Sequence, residues 1–144
     1  MKYILATDSF KGSLSSMEVE AEIAEVLTEK GADVVCLPMS DGGDGMLEAF
    51  TKALGGTIEP VYVHNQMMRR VDAAFGMTAD GTAIVEVAQA CGLELVKEDE
   101  RNPMRATTYG VGELLSRAVK RGCRNFIIGL GGSGTSDAGI GMLR

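Results

Sequence analysis

Three apolar runs each lead straight into a glycine-rich loop, and this arrangement restricts the possible folds more than any other feature of the chain. Residues 3–6 run into Thr7-Asp8-Ser9-Phe10-Lys11-Gly12-Ser13. Residues 34–37 lead to Ser40-Asp41-Gly42-Gly43-Asp44-Gly45, and residues 126–130 to Gly131-Gly132-Ser133-Gly134-Thr135-Ser136-Asp137. Short apolar runs of this kind suit strands buried on both faces. A helix signal follows the first two loops. Ser15 and Glu18 have capping-box spacing, and Val19, Ile23, Val26 and Leu27 share one helical face. Lys30 and Gly31 supply a last-turn cation and a C′ glycine. Residues 46–54 read as a second helix, stopped by Gly55-Gly56. Strand, loop and helix in succession predict parallel βαβ units with their loops at one sheet edge.

The middle of the chain has a different period. Val71, Ala73, Phe75 and Met77 alternate with other residues, Asp80-Gly81 is a hairpin signal, and Ala83, Val85 and Val87 alternate beyond it. Residues 87–91 suit a short helical turn, and Thr107 or Thr108 caps a helix carrying Val111, Leu114, Leu115, Ala118 and Val119. The expected fold is α/β: flavodoxin-like or Rossmann-like parallel βαβ units with an antiparallel β insertion. Residues 1–56 form the first βαβ part. Residues 57–93 form an antiparallel segment opening a second domain, and 94–144 an α/β segment ending in the glycine-rich loop. The apolar stretch begun by Ile140, Met142 and Leu143 is cut short at Arg144, so the chain reads as truncated.

Composition narrows the function classes. A net charge of -6 without basic runs disfavours nucleic acid and anionic membranes. No apolar run reaches membrane-span length, and the apolar start is too short for a signal peptide. Cys36, Cys91 and Cys123 are odd in number and form no CxxC pair. They suit small apolar core residues in a reducing cytoplasm rather than zinc or disulfides.

The loops carry parts suited to phosphoryl transfer. Glycines let backbone approach a phosphate, hydroxyls donate to its oxygens, and aspartates can hold Mg²⁺ or accept an alcohol proton. A capped helix with a solvated lysine would equally explain Asp8 and Lys11, and an acidic turn at a helix start would explain Asp41 and Asp44. Gly129-x-Gly131-x-x-Gly134 follows a strand and has dinucleotide-fingerprint spacing, but its discriminating acidic residue would lie past Arg144. No Walker A step occurs. His64 suits a structural role, and Arg69-Arg70 suit solvated positions better than a carboxylate site. From the residues alone, the chain is a phosphate-binding α/β protein with the parts of an enzyme.

Four motifs in order go further. Asp8-Ser9-Phe10-Lys11-Gly12-Ser13; Ser40-Asp41-Gly42-Gly43-Asp44-Gly45; Asn102-Pro103 followed by Thr107-Thr108-Tyr109-Gly110-x-Gly112-Glu113-Leu114; and Gly129 to Asp137 together resemble the bacterial glycerate kinase family. The resemblance covers essentially the whole chain, as the N-terminal part of a longer family protein. It implies two α/β domains and ATP-dependent phosphorylation of D-glycerate with Mg²⁺. Matching motif positions are Asp8, Lys11, Asp41, Asp44, Thr107, Thr108, Ser133, Thr135 and Asp137. On chemical grounds, Lys11 would neutralise phosphate, Asp41 and Asp137 are base candidates, and Asp44 would serve the metal. Asp8, Ser9, Ser13, Gly42, Gly43, Thr107, Thr108, Gly131, Gly132, Ser133 and Thr135 would bind substrate or phosphate. Two departures stand out: Asn65-Gln66 replaces an Asp/Gly-Pro step of the family, and Gly134, Ser136 and Ala138 make small-for-small changes in the last motif. A stand-alone nucleotide-binding module and a Rossmann-type oxidoreductase are the alternatives.

Overall fold

The computed structural model describes residues 1–10 and 13–144. Lys11 and Gly12, and with them the expected phosphate-neutralising role of Lys11, lie outside the described residues.

Two sheets form. Strands β1 (Lys2–Leu5) and β2 (Asp33–Cys36) pair in parallel, Tyr3 opposite Val34. They are joined through helix α1 (Ser16–Glu29), as the βαβ pattern requires. The expected capping box is present: Glu18 N–H donates to Ser15 Oγ, and Ser15 N–H donates to the Glu18 carboxylate at 2.8 Å. Gly31 takes a φ of 77° just past the helix. The apolar face of α1 is only half covered, however. Val19 is buried, whereas Ile23 and Val26 are exposed, because a two-stranded sheet is too narrow to cover a helix of 14 residues.

The larger sheet has the order β3-β4-β5-β6, from β3 (Thr57–His64), β4 (Arg70–Met77), β5 (Thr82–Glu86) and β6 (Asn125–Gly129). The first three strands are antiparallel, and β6 adds parallel to β5. Gly81, at a φ of 81°, turns the chain between β4 and β5 at the expected hairpin. The antiparallel segment and the third segment thus share one sheet, and the boundary expected near residue 93 runs through it. Helix α2 (Met46–Ala53) covers one face, packing Met46 and Leu47 on Ile84. Helices α3 (Ala88–Cys91) and α4 (Tyr109–Lys120) cover the other, where Phe75, Val85, Val111 and Leu114 are fully buried. Each such side chain stabilises the fold by about 1.5–3 kcal/mol. Cys91 and Cys123 are buried in this core as expected, but Cys36 is exposed.

Residues 131–139 do not open a helix. The chain turns back, Gly134 N–H donating to Cys91 O at 2.7 Å, and only a short 3₁₀ turn at Gly141–Leu143 follows. The dinucleotide reading of Gly129-x-Gly131-x-x-Gly134 thereby loses the helix N-terminus on which it depends.

Candidate active site

The C-terminal ends of the parallel strands β5 and β6 lie side by side, and Val87 N–H donates to Gly129 O at 2.9 Å. Crevices outside such strand ends are where open α/β sheets place ligands. The loop after β2 closes on the loop after β6 there, with Gly131 N–H donating to Gly42 O at 2.8 Å. Glycine is needed at this contact. A Cβ on Gly129 would lie 2.6 Å from Gly42 O, and one on Gly131 would lie 2.7 Å from Gly43 N. The second and third glycine-rich loops therefore use part of their glycine to pack on each other.

Beside this seam opens a cleft of about 510 Å³. Ser9, Asp41, Gly43, Asp44, Gly131 and Gly132 line it, so three expected loops meet at one place. Asp41 and Asp44 are exposed; Asp41 Oδ1 also accepts from Gly43 N–H at 3.0 Å, shaping its own turn. Gly42 borders the seam rather than the cleft. Ser9 and Asp44 also line a smaller pocket with Ser13, while the Asp8 carboxylate accepts from Ser9 N–H at 2.7 Å. Glu20, buried in α1, anchors the first loop by accepting from Thr7 N–H at 2.9 Å.

The residue that sequence reasoning missed is Glu86. It ends β5, is 3% exposed, and lines the cleft. Its Oε2 accepts from Leu47 N–H at 3.0 Å, at the start of α2. Burial pushes its carboxyl above the usual glutamate range; the Leu47 amide opposes the rise, and Glu48 and Asp44 add to it. One signal was available. Ile84 precedes Glu86 on the same strand face, and an apolar residue there marks that face as covered.

The remaining expected residues fall elsewhere. Thr107 and Thr108 meet Asp137, outside the cleft. The Asp137 carboxylate accepts from Thr108 N–H at 2.8 Å, Thr108 Oγ1 at 2.9 Å, Gly139 N–H and Gly141 N–H both at 3.1 Å, and Thr107 Oγ1 at 3.3 Å. Desolvation acts upward on its pKa, but these bonds outweigh it and hold the carboxyl below the usual aspartate range. A carboxylate so engaged fastens the third loop to the start of α4 and is poorly suited to accept a substrate proton. Thr108 stands at the N-cap as expected, yet its side chain makes no capping bond because the hydroxyl is turned to Asp137. Ser133 and Thr135 line a separate pocket of about 300 Å³ on the far side of the loop.

Arg69 pairs with Glu100 at 2.8 Å and Arg70 lies over the Tyr62 ring, so neither reaches the cleft. His64 has a structural partner, its Nδ1 lying 3.0 Å from Glu113.

Among the described residues, no three or more His, Cys, Asp or Glu side chains converge to hold a metal ion. Mg²⁺ asks for less, taking one or two carboxylates and completing its shell with water and phosphate oxygens. The hard oxygens of Asp41 and Asp44 at the cleft edge fit that demand.

Comparison with known proteins agrees with the motif order. The model of the glycerate kinase family matches residues 3–144. Glycerate kinase of Haemophilus influenzae is 43% identical over 147 aligned residues, covering 100% of this chain and 39% of that protein. Glycerate 2-kinase of Escherichia coli is 42% identical, with 100% and 39% covered. The crystal structure ascribed to glycerate kinase 2 from Salmonella typhimurium LT2 superposes with a TM-score of 0.84 at 42% identity, covering 99% of this chain and 39% of that one. The chain thus spans about 39% of the length of these relatives. The four ordered motifs, the fold that brings their loops together and the match over residues 3–144 lead to one conclusion: the chain belongs to the glycerate kinase family.

Proposed function

We propose that the protein of which these residues form part transfers a phosphoryl group from ATP to D-glycerate, with Mg²⁺, in the cytoplasm. The observation that carries this reading is the convergence of the loops at Ser9, at Asp41 to Asp44 and at Gly131-Gly132 on one cleft at the strand ends. Phosphoryl transfer asks mainly for positioning and charge control. Gly131 and Gly132 let the backbone of the third loop come close to an anion in the cleft. Asp41, Asp44, Glu48, Glu86 and Glu94 make the cleft acidic, so a polyphosphate enters favourably only with its charge neutralised. Mg²⁺ held by Asp44 would supply that neutralisation when bound. Lys11 is the proposed cationic side chain for the transferring group.

Among the cleft carboxylates, Asp41 is the proposed acceptor of the hydroxyl proton as the alcohol oxygen attacks phosphorus and ADP leaves with its bonding electrons. Asp137 acts at one remove, by holding the third loop in place.

ADP release measured in the full chain tests the reading. Release should require both ATP and D-glycerate and should fall at least a hundredfold in Lys11→Ala with the fold retained. Release independent of D-glycerate, or a wild-type rate in Lys11→Ala, would refute it.

A further inference from the structure

Helix α2 begins without a cap of its own. Its N-cap residue is Gly45, at a φ of 85°, and no side chain there accepts a hydrogen bond. Helices usually begin at a Ser, Thr, Asp or Asn in the extended region, and the left-handed backbone at this position favours glycine instead. The first amides of α2 therefore need acceptors other than a capping side chain. Met46 N–H donates to Gly43 O at 3.1 Å. Leu47 N–H donates to Glu86 Oε2 at 3.0 Å, 39 positions along the chain at the end of β5. Leu47 and Glu86 are 1% and 3% exposed, so water is a poor substitute for this bond.

The bond holds a turn that reaches the cleft. Asp44 directly precedes Gly45 and lines the cleft together with Glu86. Its carboxylate lies close against the third loop, since a Cβ on Gly132 would come 2.9 Å from Asp44 Oδ1. Behind the turn there is equally little room. Gly129 stands opposite Glu86 in the register of β5 and β6, and a Cβ on Gly129 would collide with Met46 Sδ and Gly42 O. The start of α2 is thus seated on the ends of β5 and β6, and Glu86 ties it there. A shift of this turn moves Asp44 relative to Gly132 and the cleft.

We propose that Glu86 is a positioning residue for phosphoryl transfer: by capping α2 from the end of β5, it fixes Asp44 at the cleft edge where Mg²⁺ is to be held. The inference rests on the kinase reading above. It assigns the work to the reach of the Glu86 oxygen rather than to its charge. Two variants separate these. Glu86→Gln keeps an acceptor at the same reach and removes the charge. Glu86→Asp keeps the charge and withdraws the oxygens by one methylene.

Two quantities are measured in the full chain. One is residue-resolved hydrogen exchange of the Leu47 amide, without metal or nucleotide. The other is the Mg²⁺ concentration for half-maximal ADP release with ATP and D-glycerate. In Glu86→Asp the Leu47 amide should exchange about tenfold or more faster, and the Mg²⁺ requirement should rise about fivefold or more, while KM for D-glycerate changes less than about threefold. In Glu86→Gln both the exchange and the Mg²⁺ requirement should stay within about threefold of wild type. An unchanged Leu47 exchange or an unchanged Mg²⁺ requirement in Glu86→Asp overturns the proposal. A requirement raised as far in Glu86→Gln as in Glu86→Asp overturns it too, because the charge is then at work. An unprotected Leu47 amide in the wild type overturns it as well, and that result needs no variant to fold. If D-glycerate is not phosphorylated, the kinase reading fails by itself, and calorimetric binding of ADP with Mg²⁺ decides this inference alone. Binding about fivefold weaker in Glu86→Asp and retained in Glu86→Gln would support it; equal binding in all three proteins would refute it.

Discussion

Replacing Asp137 with alanine removes five hydrogen bonds from a single carboxylate. Hydrogen bonds to a charged group contribute about 1.5–3 kcal/mol each when well formed. Only the bonds from Thr108, at 2.8 and 2.9 Å, are short, and Asp137 is itself partly exposed. Water can replace part of the loss at the glycine amides. Buried Thr108, 5% exposed, has less access to water. Counting the two short bonds and discounting for solvent gives about 2–3 kcal/mol of local destabilisation. The assay is residue-resolved hydrogen exchange in the full chain, which reads local opening without requiring two-state unfolding. At about 1.4 kcal/mol per decade, the amides of Thr108 and Gly141 should exchange roughly 30- to 150-fold faster in Asp137→Ala. The sign with pH follows. The Asp137 carboxyl lies below the usual aspartate range in the fold. Its contribution is therefore complete above the unfolded value near about 3.9 and is lost as pH falls through the folded value. Wild-type and variant protection should converge in that acid range. Equal protection of Thr108 in both proteins at neutral pH would refute the loop-fastening role.

Two other substitutions probe the cleft. Gly131→Ala places a Cβ 2.7 Å from Gly43 N, so the second and third loops must part; phosphoryl transfer should drop at least tenfold, while the thermal midpoint changes by only a few degrees. Glu86→Gln should stabilise the protein at neutral pH relative to wild type, because burial raises the Glu86 pKa and Glu48 and Asp44 repel its charge. A raised carboxyl favours folding below its unfolded value and loses that advantage as pH rises through the folded one. Denaturant titrations at several pH values should therefore show the variant's relative stability growing as pH rises above about 4.3.

The local signals in the sequence translated well into structure. The capping box at Ser15 and Glu18, the glycine stop at Gly31 and the turn at Gly81 all depend on neighbours in sequence, and all formed. What stayed hidden depends on distant partners. Nothing near Asp137 announces that its acceptors would be filled by Thr107, Thr108, Gly139 and Gly141. Glu86 went unremarked because the alternation of Ala83, Val85 and Val87 marks the opposite face of β5, and Ile84 alone hints that α2 covers this one. The glycines of the second and third loops were legible as loop residues, yet their close contact is a tertiary fact. Of the residues expected at the site, Ser9, Asp41 and Asp44 line the cleft, whereas Thr107, Thr108 and Asp137 meet one another outside it.

The most direct test of the account follows the product. Phosphorus NMR of the full chain incubated with ATP, Mg²⁺ and D-glycerate should show ADP and a new phosphomonoester signal growing in equal amounts. Asp41→Asn, with its fold confirmed, should slow both by about a hundredfold or more. ADP and inorganic phosphate without a phosphomonoester, or an unchanged rate in Asp41→Asn, would contradict transfer to glycerate by the carboxylate-lined cleft.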